Sequence, residues 1–107
     1  MKIGKFLLMV FYLFIFNIQN LLADEVKMAK GLEIFNETAG CAGCHALNAA
    51  GSVANIGPNL DTVSLTEELV KEMVTYGLGV MPAYGEGILT KEEIDIVSFY
   101  VANSVGK

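Results

Sequence analysis

Both cysteines and the only histidine of this 107-residue chain lie within five consecutive residues, Cys41 to His45, in the stretch CAGCHAL. Two thiols and an imidazole this close together point to three kinds of chemistry. They could form a disulfide, they could bind a metal ion or act as a redox dithiol, or they could attach a prosthetic group covalently. The rest of the sequence discriminates between these possibilities.

The first two possibilities fit the sequence poorly. A disulfide between Cys41 and Cys44 would close a very small ring and add little stability. A thioredoxin-like motif requires a β-α-β setting, and no stretch alternates long enough to predict a strand. A structural zinc site takes four protein ligands, which this chain cannot supply from cysteine and histidine. The pattern C-x-x-C-H therefore predicts covalent haem attachment, with Cys41 and Cys44 bonded to the two vinyl groups and His45 bound to the iron.

Haem iron held by one histidine has a second axial position to fill. Because the chain has no other histidine, a methionine sulfur is the leading candidate. Met28 and Met73 lie in amphipathic patterns, where they are predicted to fill the core. Met81 lies in the glycine-rich stretch GLGVMPAYGEG, directly before Pro82, which disfavours a helical backbone at Met81. We therefore predict Met81 as the second iron ligand.

The beginning of the chain has the features of an export signal. Lys2 and Lys5 precede an unbroken apolar run over residues 6–16, and Ala23 stands before an acidic pair. This order predicts a secretory signal peptide over residues 1–23, with an uncleaved membrane anchor as the alternative. Polar residues interrupt the apolar segment, which is shorter than the ~20 apolar residues of a spanning helix. Since both lysines come first, the domain that follows is predicted to be periplasmic.

Residues 24–107 are predicted to form one domain. They carry five lysines and twelve carboxylates, hence a formal charge of −7, and the chain contains no arginine. This balance argues against nucleic acid and against anionic lipid surfaces as partners. A domain of this size has a thin core and usually depends on a disulfide, a metal or a cofactor. A haem would supply the missing apolar surface.

Helical patterns and the lack of strands predict an all-α fold. Apolar residues recur with helical spacing over residues 25–37, 64–76 and 90–103. Gly31 interrupts the first pattern at a cost near ~1 kcal/mol relative to alanine. A glycine inside a helix, with no turn around it, indicates that another backbone packs closely there.

Local signals predict where two of the helices begin and where the loops lie. Capping boxes at Ser64–Glu67 and Thr90–Glu93 predict the starts of the second and third helices. Residues 46–63 and 77–87, rich in glycine and other small residues, are predicted as loops without regular structure. Loops of this length need a surface to pack on, and a haem would provide one.

Taken in order, the motifs resemble those of the class I, single-haem cytochromes c of the small bacterial soluble type, similar to c6- and c5-like carriers. The resemblance covers essentially all of residues 24–107. It rests on four motifs: CAGCH at 41–45, GPNL at 57–60, MPAY at 81–84 and EIDIVSFYV at 93–101.

The resemblance implies the fold of that family, in which short helices and long loops wrap around one covalently bound haem. It implies that the first and last helices cross near Gly31. Phe35, Val97 and Tyr100 would pack around that crossing.

The resemblance also implies a contact that orients the axial histidine. The carbonyl of Pro58 would accept a hydrogen bond from the ring of His45. The chain departs from many relatives because it has neither an arginine nor a tryptophan for the haem propionates. Asn59, Tyr76 and Tyr84 are open candidates for that role.

Iron bound by His45 and Met81 has no position left for a substrate. The resemblance then implies a monomeric electron carrier with one haem c, not an enzyme. Its partners would be membrane complexes, such as a quinol-oxidising complex and a terminal oxidase or a photosystem-like acceptor. The small or apolar stretches Ala42-Gly43 and Ala46-Leu47 predict an uncharged contact patch.

Two other functions remain open at this point. The chain could be a c-type haem subunit held within one oxidoreductase complex. If Met81 does not bind the iron, it could be a haem protein that reacts with a gas or a peroxide.

Overall fold

The computed structural model describes residues 2–107, and three α-helices account for most of its regular structure. Helix α1 spans Lys2–Glu33 and continues as one π-helical turn, Ile34–Thr38. Helix α2 spans Glu67–Tyr76, and helix α3 spans Lys91–Ser104. The mostly helical architecture with long connections confirms the predicted all-α class. Three short 3₁₀ turns lie between α1 and α2, at Cys41–Gly43, Asn48–Ala50 and Leu60–Thr62.

Helix α1 is longer than the predicted first helix because it includes the apolar N-terminal segment without a break. Residues 2–26 are exposed along their whole length. The most apolar 18-residue window of this helix has a mean hydropathy of 2.0, so by length and composition the helix could cross a membrane. A signal sequence at the N-terminus meets the same criterion. Met1, the first residue of the predicted signal, lies outside the described residues.

The C-terminal part of α1 crosses α3 at Gly31, as the sequence predicts. A Cβ atom at Gly31 would collide with the Cβ and Cγ of Tyr100 and would lie 3.2 Å from the carbonyl oxygen of Ile96. The rings of Phe35 and Tyr100 lie 6.0 Å apart at 57°, a tilted arrangement that aromatic pairs favour. Val97 is fully buried beside them. The glycine lets the two helix backbones approach at van der Waals distance.

This crossing belongs to a core formed by the π-helical turn after α1, by α2 and α3, and by Leu47 and Leu89. Its buried apolar members are Ile34, Phe35, Leu47, Val70, Val74, Leu89, Ile94, Val97, Tyr100 and Val101. Helix α2 is further joined to α3 by an ion pair between Lys71 and Asp95, 3.2 Å apart. The hydrogen bond to Asp95 raises the pKa of Lys71.

The predicted start of α2 is wrong by two residues. Thr66, rather than Ser64, is the N-cap, and its hydroxyl accepts a hydrogen bond from the backbone N–H of Leu69 at 3.2 Å. Both positions carry a residue that can cap a helix. Leu65 packs against the core, and Thr66 still has an extended backbone. This packing keeps the chain extended past Ser64 and delays the first helical turn.

The predicted capping box of α3 is confirmed. The backbone N–H of Glu93 donates to the hydroxyl of Thr90 at 3.1 Å, and the N–H of Thr90 donates to the carboxylate of Glu93 at 3.0 Å. The backbone hydrogen bond from Thr90 lowers the pKa of Glu93. The two residues therefore satisfy each other's free N–H groups and fix the start of α3.

The loop between residues 46 and 63 contains more structure than predicted. Strand β1, Ala46–Leu47, pairs antiparallel with strand β2, Ser52–Val53. Two residues are too few to show the alternation that identifies a strand in a sequence. The hydroxyl of Ser52 accepts from the N–H of Leu47 at 2.9 Å, and Leu47 is 0% exposed. The part of the predicted contact patch that relied on Leu47 is therefore wrong.

One carboxylate connects this loop to the end of the chain. One oxygen of Asp61 accepts from the N–H of Asn48 and the other from the N–H of Gly106, both at 2.8 Å. The N–H of Asp61 itself donates to the side-chain oxygen of Asn59 at 2.9 Å. Hydrogen bonds to a charged acceptor are stronger than neutral ones. They hold the segment that follows His45 against the C-terminus.

Candidate functional site

The attachment motif, residues 41–45, is folded into one tight turn. It begins after Gly40, which has a φ of 70°. The backbone N–H groups of Cys44 and His45 both donate to the carbonyl oxygen of Cys41, at 3.1 and 2.9 Å. The two cysteines are not joined in a disulfide. The local backbone thus gathers the two thiols and the imidazole around a single turn.

The surroundings of Cys41 suit an uncharged sulfur. Burial, with a smaller effect of the neighbouring Cys44, raises the pKa of Cys41 to about 11. A thiol must lose its proton to bind a metal as a thiolate, whereas a thioether carries no charge. Within residues 2–107, no group of three or more His, Cys, Asp or Glu side chains is placed to hold a metal ion.

The ring of His45 is held by the segment Gly57-Pro58. Its Nδ1 lies 2.7 Å from the carbonyl oxygen of Pro58, the contact that the resemblance implies. Because a carbonyl only accepts, Nδ1 donates, and Nε2 keeps a free lone pair that can bind a metal. A Cβ atom at Gly57 would lie 2.6 Å from Cε1 of His45, so only glycine fits beside the ring. The N–H of Gly57 also donates to the carbonyl of Cys44 at 2.7 Å.

We call residues 77–85 the Met81 loop. Leu78 and Met81 exchange two backbone hydrogen bonds, at 3.2 and 3.0 Å, across a two-residue turn. Gly79 occupies the first position of that turn with a φ of 59°, which glycine adopts readily. A Cβ atom at Gly77 would lie 2.6 Å from the carbonyl oxygen of Met81. Met81 is partly buried and packs against the core.

The Met81 loop is attached at two places. The N–H groups of Tyr84 and Gly85 donate to the carbonyls of Val74 and Thr75 at the end of α2, at 2.9 and 3.1 Å. The hydroxyl of Tyr84 donates to the carbonyl of Ala39, at 3.3 Å. Burial raises the pKa of Tyr84, and the nearby cysteines of the attachment motif raise it further.

The sequence offered three candidates for contact with haem propionates, and the structure gives two of them other partners. Tyr84 bonds the backbone before the attachment motif, a contact between residues 45 apart that no local pattern could predict. The side-chain oxygen of Asn59 accepts from the N–H of Asp61. Tyr76 is exposed.

These residues fit a haem. The donors are two thiols, an imidazole with one nitrogen free and a thioether, which is a known donor set for covalently bound haem. Large apolar side chains beside them are exposed: Ile56 by 71%, Leu78 by 68% and Val80 by 95%. Exposed apolar surface next to the donors is what an apolar cofactor would cover.

Comparison with known proteins agrees with this geometry. Residues 26–101 match the protein family described as cytochrome c oxidase, cbb3-type, subunit III. Among solved structures, the c-type cytochrome SorU from Sinorhizobium meliloti is 47% identical, with a TM-score of 0.72 over 78% of this chain and 95% of that chain. No curated protein matches the chain.

The family match spans well over half of the chain and includes the attachment motif, the Gly57-Pro58 segment and the Met81 loop. The match to SorU shows the small cytochrome c fold. The chain therefore belongs to this cytochrome c family, and it is a class I cytochrome c with a covalently bound haem.

Proposed function

We propose that this chain is an exported electron carrier with one haem c, bound through His45 and Met81 as axial ligands. The observation that carries the proposal is the 2.7 Å contact between Nδ1 of His45 and the carbonyl of Pro58, which leaves Nε2 free for the iron. When bound, the haem supplies the one-electron chemistry between Fe(III) and Fe(II).

The residues have distinct roles in this proposal. Cys41 and Cys44 hold the porphyrin through two thioethers. His45 donates a nitrogen whose basicity is raised by the carbonyl of Pro58. Met81 donates a sulfur, which raises the potential relative to other ligand sets. With both axial positions filled, no site remains for a substrate, and the chain acts as a carrier rather than an enzyme.

The charge of the domain indicates the kind of partner. A formal charge of −7 over residues 24–107 favours a redox partner with a basic surface. We propose membrane complexes as partners, such as a quinol-oxidising complex and a terminal oxidase or photosystem-like acceptor. Gly43 is exposed, and Ala42 and Ala46 are partly buried, so these residues would form the uncharged contact patch.

Charge reversal on α2 tests whether the acidic surface of the domain attracts a basic redox partner. We expect the variant Glu67→Lys with Glu68→Lys to reduce electron transfer to a cationic ruthenium ammine complex several-fold at low salt, because it raises the net charge by four. Stopped-flow kinetics at increasing ionic strength would measure the effect. The matched variant Asp24→Lys with Glu25→Lys makes the same change in net charge at the exposed start of the domain.

An equal salt dependence in the wild type and the α2 variant would contradict steering by this surface. An equal loss in both variants would assign the effect to net charge alone.

We propose further that residues 1–23 direct export and are then removed. The family match begins at residue 26, after the apolar segment. Cleavage after Ala23 would leave a periplasmic chain that begins with Asp24. The unbroken helix through Ala23 is compatible with either a signal peptide or the alternative, a retained membrane anchor.

The mass of the protein purified from the periplasmic fraction tests this proposal. We expect the mass of residues 24–107 plus one haem. A full-length chain found in the membrane fraction would show the anchor, and a chain without a haem mass would contradict the proposed cofactor.

A subunit within one oxidoreductase complex remains a second candidate, because the matching family is described as an oxidase subunit. Co-purification of a stable partner under native conditions would favour it. Recovery of the chain alone would favour a freely diffusing carrier.

A further inference from the structure

One side chain connects the two segments that carry the proposed axial ligands. The hydroxyl of Tyr84, three residues after Met81, donates to the carbonyl of Ala39, two residues before Cys41. The bond is 3.3 Å long, and Tyr84 is partly buried and packs against the core. A contact between residues 45 apart thus fixes the distance between the Met81 loop and the attachment motif.

The other hydrogen bonds of the Met81 loop do not reach the motif. Among the described residues, they run to α2 or stay within the stretch 77–89 itself. The N–H of Gly77 donates to Met73, and the N–H of Tyr84 donates to Val74. These bonds place the loop on α2, and none of them joins it to the segment before the attachment motif. Gly77 and Gly79 both have positive φ angles, so the loop contains residues that can absorb a backbone rotation.

We propose that Tyr84 is a positioning residue that keeps the sulfur of Met81 at the iron, an inference that rests on the proposed ligation by Met81. Without its hydroxyl, the loop keeps its attachment to α2 and loses its hydrogen bond to the segment before the attachment motif. Met81 then leaves the iron more often, and an external ligand that competes for the same position binds more readily. The apparent affinity of such a ligand rises with the fraction of open protein.

Titration of the oxidised holoprotein with imidazole measures this fraction. We expect Tyr84→Phe to bind imidazole roughly fivefold more tightly than the wild type, the factor that one neutral hydrogen bond provides. Tyr100→Phe is the matched control, because it removes a buried hydroxyl from the α1–α3 interface and should leave imidazole affinity unchanged. Met81→Ala sets the upper limit, since it has no sulfur to displace.

The outcomes separate the two proposals. If Met81→Ala binds imidazole far more tightly than the wild type but Tyr84→Phe matches the wild type, the role of Tyr84 is overturned and ligation by Met81 stands. If wild type and Met81→Ala bind equally well, ligation fails and the role of Tyr84 fails with it. If Tyr84→Phe and Tyr100→Phe raised the imidazole affinity equally, Tyr84 would contribute only to general stability. Its role as a positioning residue would then be overturned.

A second measurement covers the case in which Tyr84→Phe does not accumulate as a haem protein. In the reduced wild type, the hydroxyl proton of Tyr84 should give a separate NMR signal with a cross-peak to Ala39. A hydroxyl proton that exchanges freely with water would overturn the proposal.

Discussion

Replacing Met81 by alanine is expected to open the iron to external ligands and to lower its midpoint potential by on the order of 100 mV, within the ~0.8 V that axial ligands span. The proposed thioether ligand would stabilise Fe(II) relative to Fe(III), and alanine offers no donor in its place. Carbon monoxide should then bind the reduced variant rapidly. Spectroelectrochemistry and a carbon monoxide titration would measure the two effects.

Met73→Ala is the matched control for this variant. Met73 lies on α2 and is partly buried, so its truncation removes a methionine sulfur near the Met81 loop in sequence but no proposed ligand. We expect it to lower stability and to leave both the potential and the carbon monoxide response unchanged. If Met73→Ala instead opened the iron while Met81→Ala did not, the ligand would be misassigned.

Substitutions at Gly31 are expected to have the largest effect on stability. A Cβ at this position would fall on Tyr100, whose own Cβ is fixed to the backbone of α3 and cannot rotate away. Overpacking of this kind costs about 1–3 kcal/mol, and better helix propensity offsets about 1 kcal/mol in Gly31→Ala. Gly31→Val adds further atoms to the same contact, and we expect it to cost about 4 kcal/mol or more.

Unfolding by guanidinium chloride, followed by circular dichroism of the holoprotein, measures these losses. Gly43→Ala is the control, because a Cβ there has no neighbouring atom within 4 Å. It should change the free energy of unfolding by less than about 1 kcal/mol. A Gly31→Val variant as stable as the wild type would show that the α1–α3 crossing does not require glycine.

The parts of the structure that the sequence predicted correctly are those set by local rules or by the family resemblance. The capping residue Thr90 has a single glutamate at the required spacing, so the start of α3 is unambiguous. Gly31 has no turn to explain it, which leaves close packing as its reason. The position of Pro58 opposite His45 came from the resemblance, not from the spacing of the residues.

The errors have a common physical origin, because each was decided by packing between distant parts of the chain. Ser64 is as good a cap as Thr66 by composition, and the burial of Leu65 against the core selects between them. From its position beside the attachment motif, Leu47 is expected at the surface. Its pairing with Ser52 instead places its side chain in the core. The bond of Tyr84 could not be predicted for the same reason.

The most direct test of the central claim is the visible spectrum of the wild-type holoprotein, oxidised and reduced, with and without carbon monoxide at neutral pH. If His45 and Met81 fill both axial positions of the iron, we predict sharp low-spin bands in the reduced state and no change when carbon monoxide is added. A high-spin spectrum that shifts with carbon monoxide would contradict the account, since it would show an open iron suited to a gas or a peroxide.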